Sequence, residues 1–366
     1  MDRQAVDVVR ALLERSIEDR IFPAAAAEVG DSRGALWRTA AGALTFEADA
    51  ARAGDSTIFD LASLTKPIAT TSVILQLAGR GALDVREPVA AFFPEWRGER
   101  RERATVQDLL EHSAGLAARL IDRPPYGRRE FEHDICTMLL EYPPHAKSVY
   151  SDLGFILLGF IAEDRGRAAL ASQFQAIAAG LPHATGLGAE SVSEHVLAFG
   201  VEDAWRARTA PTRPMDDDAR RGRLLVGEVH DNYAAALGGV AGHAGLFGTA
   251  AGVGGFARAL LRGARGDVAV PAPLSPPLVT QATKKSRVAG SSRALGWDTM
   301  LPTSSCGTAM SPAAFGHVGY TGTSLWIDPE RDRYFVLLTN RACAGGTLDQ
   351  MRNVRRAFHD AVAGQV

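Results

Sequence analysis

The chain has 366 residues, of which 46% are apolar and 22% charged, and its 40 basic against 42 acidic residues leave a net charge of −2. This is the balance of a globular protein with a sizeable core; it excludes a mainly disordered chain and supplies no excess charge for nucleic acid or an anionic membrane. No run of about 18 apolar residues occurs, and charges interrupt the N-terminus, so neither a membrane span nor a signal peptide is expected and a cytoplasmic location is the default.

In chain order, residues 3–20 have the apolar spacing of an amphipathic helix. Ala24–Val29 and Ala35–Ala40 read as strands around the turn Gly30-Asp31-Ser32-Arg33-Gly34. Thr57–Leu61 leads into Ser63-Leu64-Thr65-Lys66-Pro67, after which Ile68–Ala78 is helical and stops at Gly79-Arg80-Gly81. Thr105–His112 opens a further helix with Thr105 as N-cap and Asp108 three residues on. Tyr150-Ser151-Asp152 precedes an apolar helix from Leu153 to Gly159. A polar, Arg-rich stretch from Ala207 to Asn232 reads as a long ordered loop. Val253–Leu261 is helical, and the Gly/Pro-rich segment Gly263–Pro277 is a connection. Ser324–Asp328 and Tyr334–Thr339 are strands around a turn, and Leu348–Val362 is a closing helix. Strands at both ends and helices between them predict an antiparallel sheet flanked by the terminal helices, with an inserted, mostly helical domain. Cys136, Cys306 and Cys343 lack any CxxC spacing and are expected as buried free thiols.

Three short motifs carry chemistry. In Ser63-x-x-Lys66, residues at i and i+3 of a helix share a face, and Pro67 is tolerated only near a helix start. A hydroxyl needs a base to become a nucleophile, and a Lys whose pKa is lowered can be that base. Only four of the 40 basic residues are Lys, and Lys66 alone has a Ser three residues before it. By itself the pattern reads equally well as a helix-capping Ser with an exposed Lys. In the second motif, Tyr150 beside a Lys ammonium could relay a proton; the plainer reading is a turn with Asp152 as N-cap. The third, Gly316-His317-Val318-Gly319-Tyr320-Thr321-Gly322-Thr323, enters a late strand whose backbone N–H could meet an oxyanion.

In this order and spacing the motifs resemble those of the penicillin-recognising serine hydrolases. The sequence resembles the serine beta-lactamase-like family, which includes class C β-lactamases, D-alanyl-D-alanine carboxypeptidases and related esterases. The resemblance extends to Phe59–Lys66, Asp108–Leu116, Tyr150–Gly159, Gly238–Thr249 and His317–Pro329, and runs from about residue 5 to residue 362. It implies an α/β (α+β) fold of beta-lactamase/transpeptidase type. Residues 1–62 with 288–366 would form the sheet domain and 63–287 the helical domain, with the active site in the cleft between them.

The resemblance implies that Ser63 forms an acyl-enzyme and that Lys66 and Tyr150 share the general acid and base work. The oxyanion hole would be the backbone N–H of Ser63 and of Tyr320, with Asp152, His317 and Gly319 facing substrate. No metal or organic cofactor is implied, and the expected partner is a small-molecule substrate. Two departures stand out. His317 replaces the usual Lys and would be only partly charged near pH 7, which weakens recognition of a carboxylate and favours neutral esters or amides. Asp152 replaces the usual Asn; beside Lys66 it would favour the ammonium and leave Tyr150 more of the base role, unless it points elsewhere. The expected activity is esterase action on small carboxylic esters. The alternatives are D-amino-acid peptidase, weak β-lactamase or acyltransferase chemistry, or a non-catalytic binding protein. His230 and Asp231, in the polar loop, and His243 are too loosely spaced for a metal site and are expected to wall the cleft. His112 is expected to be packed and structural, and the Arg97–Arg103 run to be solvated.

Overall fold

Alternating side chains decide the central layer of the molecule. The structure is a computed structural model describing residues 3–98, 100–120, 124–181 and 195–364. Its strands are β1 (Ala24–Gly30), β2 (Ala35–Gly42), β3 (Phe59–Asp60), β4 (Leu197–Phe199), β5 (Leu246–Gly248), β6 (Asp298–Thr299), β7 (Phe315–Val318), β8 (Ser324–Asp328) and β9 (Arg333–Thr339). They form one antiparallel sheet in the order β2-β1-β9-β8-β7-β6 and a small second sheet, β3-β5-β4. The α-helices are α1 (Arg3–Glu18), α2 (Ser72–Gly79), α3 (Val106–Leu110), α4 (Gly127–Thr137), α5 (Asp152–Gly166), α6 (Leu170–Ala178), α7 (Asn232–Ala236), α8 (Ala250–Ala264), α9 (Pro276–Thr283), α10 (Arg341–Ala344) and α11 (Leu348–Ala363).

Both faces of the large sheet are covered. In β9, Phe335 and Leu337 pack with Val9, Leu13, Phe358 and Val362 of α1 and α11. The intervening Tyr334, Val336 and Leu338 join the core that contains α8 and the helical part of the chain. A strand buried on both faces reads as a continuous apolar run rather than as an alternating one, which is what Tyr334–Thr339 presents. On β1 the alanines leave room for α8 to approach, and the approach is close: a Cβ on Gly254 would lie 1.8 Å from Glu28 Oε1. Glu28 is fully buried and satisfied there by Arg38 and by the Tyr334 hydroxyl at 2.6 Å. Thus α8, inside the segment read from sequence as helical domain, lies against β1, β8 and β9.

Two local readings need correction. The helix after Ser63 does not start as an ordinary α-helix. Ala62–Leu64 is a 3₁₀ turn, Lys66–Thr71 a wide π-type turn, and regular helix begins only at Ser72. Pro67 cannot donate a backbone bond, and the Thr71 hydroxyl takes the Lys66 carbonyl at 2.9 Å. The Arg97–Arg103 run is not wholly solvated: Arg101 is buried over Trp96 and donates to the carbonyls of Cys136 and Met138; residue 99 lies outside the described residues. The three cysteines are buried free thiols, and Thr105 caps α3 with Asp108 in a reciprocal box. Among the described residues no helix is long and apolar enough to cross a membrane.

Candidate active site

The strained entry to the site is set by Asp60 at the end of β3. Its carboxylate accepts the N–H of Ala62 at 2.8 Å and that of His230 at 2.6 Å. Ala62 adopts φ +47°, a left-handed conformation that costs a non-glycine residue about 1–2 kcal/mol, and it delivers Ser63 to the mouth of a cleft of about 400 Å³. The β3–β5 pairing and the Leu61 N–H to Leu246 O bond hold this segment from below.

Two side chains converge on Ser63. Tyr150 Oη donates to Ser63 Oγ at 2.6 Å, and Lys66 Nζ donates to the same oxygen at 3.1 Å. Lys66 is buried, and its other two donors reach the His243 carbonyl at 3.0 Å and Asp152 Oδ1 at 2.7 Å. An ammonium has three donors, and all three are matched. Burial opposes the charge, but Asp152 and Tyr150 outweigh it and hold the Lys66 pKa above its ordinary value. Burial likewise raises the Tyr150 phenol, against the nearby Lys66 ammonium. Both groups are therefore protonated near neutral pH.

Asp152 was expected to face substrate, to lie beside Lys66 and favour its ammonium, or to cap α5. Ser151 is the cap instead, accepting the Gly154 N–H, which frees Asp152 in the first turn to turn inward. Its carboxylate is engaged by Lys66 and by Arg119 Nη1 at 3.1 Å, so both of its oxygens are paired with cations of the protein. Burial works against its charge, while Lys66, then His243, pull its pKa below the ordinary carboxylate range. Arg119 also bridges to Asp231 at 2.8 Å and to Asn232 at 2.6 Å, and Asp231 holds His243 Nε2 at 2.7 Å. The polar-loop residues thus form a wall of hydrogen-bonded charges along one side of the cleft. Among the described residues no group of three or more His, Cys, Asp or Glu is placed to hold a metal ion.

The opposite wall is β7 and the turn that follows it. His317 is not partly charged as expected: burial first, then the charges of Arg293 and Lys66, push its pKa well below the ordinary value. The neutral ring meets the Val318 carbonyl at 2.9 Å through Nδ1, while buried Nε2 has no partner among the described residues. With the proton on Nδ1, Nε2 is a hydrogen-bond acceptor facing the cleft wall. Gly319 offers substrate no free donor, since its N–H is bound to Thr323 O at 2.8 Å. Its role is space: a Cβ there would lie 2.1 Å from Thr323 Oγ1 and 2.6 Å from Leu61 O. Among the described residues the Tyr320 N–H has no acceptor, and Tyr320 borders the cleft with Ser63.

Sequence reasoning missed the arginines behind this turn. Arg355 of α11 donates to Gly319 O at 2.6 Å and Thr323 O at 3.0 Å. Arg341 of α10 donates to Tyr320 O at 2.5 and 3.0 Å and lies 4.5 Å from that residue's ring. Burial pushes the Arg355 guanidinium down to about 9. The two cations fix the carbonyls on either side of the Tyr320 N–H and thereby aim that donor. His112 is packed as expected, accepting the Ser151 N–H at 3.1 Å and lying 4.8 Å from the Tyr150 ring.

The family model described as Beta-lactamase matches residues 9–356. A protein of Escherichia coli (strain K12) named "Putative D-alanyl-D-alanine carboxypeptidase" is 28% identical over 324 residues, spanning 79% of this chain and 70% of that protein. Among solved structures, a class C beta lactamase from Rhodobacter sphaeroides superposes with a TM-score of 0.74 at 18% identity, covering 98% of this chain and 99% of its own. EstCE1, described as a hydrolase with promiscuous acyltransferase activity, superposes with a TM-score of 0.72 at 16% identity, covering 96% and 98%. At these identities the two structures share the fold.

Proposed function

Because the chain belongs to the Beta-lactamase family, whose members are enzymes of serine-hydrolase type, we propose that it hydrolyses small carboxylic esters through an acyl-enzyme on Ser63. The observation that carries this reading is the convergence of Lys66 and Tyr150 on one hydroxyl oxygen. When Lys66 gives up one proton, its two remaining N–H bonds satisfy His243 O and Asp152, and the lone pair points at the Ser63 hydroxyl. Ser63 Oγ then attacks the ester carbonyl as its proton moves to Lys66. The tetrahedral oxyanion is met by the N–H groups of Ser63 and Tyr320. As the ester C–O bond breaks, Tyr150 protonates the leaving oxygen and recovers a proton from Lys66. Water repeats the sequence on the acyl-enzyme, releasing the acid and restoring Ser63.

The choice of ester over amide rests on Asp152. It holds Lys66 in the ammonium form, so the free base is scarce near neutral pH, and a scarce base suits a carbonyl with a good leaving group. The test is steady-state hydrolysis of p-nitrophenyl butyrate. Ser63→Ala is expected to lose about a thousandfold or more in kcat; equal turnover by the variant would remove Ser63 from the mechanism.

A further inference from the structure

Two buried cations stand behind the Tyr320 N–H, and among the described residues neither pairs with an acid. Arg341 and Arg355 are each only 5% exposed. Both spend their guanidinium on backbone carbonyls: Arg355 on those of Gly319 and Thr323, Arg341 on those of Tyr320 and Gly346. The charged neighbour that acts on Arg355 is Arg341, a second cation. Arg258, also buried, instead faces the Glu28 carboxylate at 4.0 Å. A buried charge without a counter-charge is costly. The fold therefore holds an unbalanced positive potential behind the turn whose N–H would meet the oxyanion.

The Gly319 carbonyl and the Tyr320 N–H belong to one peptide unit. That unit is trans, so its two polar groups point in opposite directions, the carbonyl to Arg355 and the N–H to the cleft. It is also delocalised. A cation at the oxygen draws electron density from the nitrogen and strengthens the N–H as a donor, because linked hydrogen bonds polarise one another. We propose that Arg355 is a positioning residue that polarises the Gly319–Tyr320 peptide, so that its N–H binds the anionic tetrahedral state more tightly than the neutral ester. Arg341 holds the next carbonyl, which lies in a different peptide unit, and so acts on that N–H only through space. An interaction that strengthens as the oxyanion forms raises kcat and leaves KM nearly unchanged. This assignment rests on the ester-hydrolase reading above.

The test uses p-nitrophenyl cinnamate labelled with ¹³C at its carbonyl. Ser63 Oγ takes the cinnamoyl group as p-nitrophenolate leaves, and infrared difference spectroscopy reads the stretch of the acyl carbonyl, which falls as its hydrogen-bond donors strengthen. Arg355→Gln keeps N–H donors and removes the charge. Its acyl carbonyl is expected at higher wavenumber than the native one, with Arg341→Gln shifting it less. On p-nitrophenyl butyrate, Arg355→Gln is expected to lose about tenfold in kcat at nearly native KM, less than the 10²–10³-fold for deleting an oxyanion donor outright. Arg355→Lys reads the same charge within one folded protein should Arg355→Gln not fold. Burial lowers the pKa of a lysine, so raising the pH neutralises it, and the stretch is expected to rise beyond any movement in the native acyl-enzyme. The other titratable groups acting on or near Arg355, His317, His359 and Arg341, are common to both proteins. A stretch at the native value in Arg355→Gln, an equal shift in Arg341→Gln, or a stretch in Arg355→Lys that follows the native one with pH overturns the assignment and leaves the ester-hydrolase reading standing. Failure of the native protein to take the cinnamoyl group on Ser63 removes that reading, and this assignment with it.

Discussion

At the scale of single residues, the base at Ser63 is governed by its neighbour. Asp152 lies 2.7 Å from Lys66 Nζ, and with Tyr150 it outweighs a burial that would otherwise favour the neutral amine. The rate should therefore climb with pH as the Lys66–Tyr150 pair gives up a proton, and kcat/KM should rise into the alkaline range. Asp152→Asn removes the charge and keeps the size, so the rising limb is expected to move to lower pH by about 1–3 units. A pH–rate profile checks this, and an unmoved limb would show that Asp152 does not set the base. Lys66 was legible in the sequence because this chain uses Lys so rarely. The arginines were not. Arg119, Arg293, Arg341 and Arg355 line or brace the site, yet in the sequence they look like the arginines of a solvated surface, because burial and not residue type distinguishes them.

At the scale of elements, catalysis depends on how β7 and its following turn meet the Ser63 segment. Gly319 sits between Thr323 and the Leu61 carbonyl with no room for a methyl group. The Leu61 backbone cannot yield freely, since its N–H is bound to Leu246 O and its carbonyl accepts the Thr323 hydroxyl at 2.9 Å. Gly319→Ala is expected to push the turn outward and misplace the Tyr320 N–H. The loss of one oxyanion donor costs about 10²–10³-fold in kcat, with KM changing less. Steady-state kinetics on p-nitrophenyl butyrate measures it, and native kcat in the variant would remove Tyr320 from the oxyanion hole. Most elements could be read from periodicity, including both strands of the late hairpin and the closing helix. The π-type turn at Lys66–Thr71 could not, because a single turn is too short for apolar spacing to separate 3.6 residues per turn from a wider winding. The N-cap was misread by one residue, since Ser151 and Asp152 are both good caps and only the pull of Lys66 and Arg119 decides between them.

At the scale of the whole molecule, distant parts of the chain are joined by buried polar side chains. Asn340 accepts the Ala24 N–H across 316 positions and donates to Leu44 O and Pro211 O. Asp60 ties the Ser63 segment to the His230 loop. Such long-range pairs leave no trace in local spacing, which is why the sheet order was predicted only as terminal strands meeting and the polar loop only as a wall. Asp60 also makes the fold sensitive to pH. Burial, the largest influence, raises its pKa to about 6 from the ordinary 3.8, against the N–H bonds of His230 and Ala62. The folded state thus holds this proton more tightly than the unfolded state, so the contribution is full below about pH 4 and fades as pH rises through 6. Relative to Asp60→Asn, the native protein is expected to gain about 1 kcal/mol of stability between pH 7.5 and pH 5. Denaturant unfolding of both proteins at the two pH values measures this, and a constant difference would refute it. The central claim is tested most directly by intact mass after the protein is mixed with p-nitrophenyl acetate and quenched in acid. One acetyl group on the native chain, mapped to Ser63 and absent from Ser63→Ala, is the predicted result; hydrolysis with no adduct at Ser63, or an adduct on another residue, would contradict it.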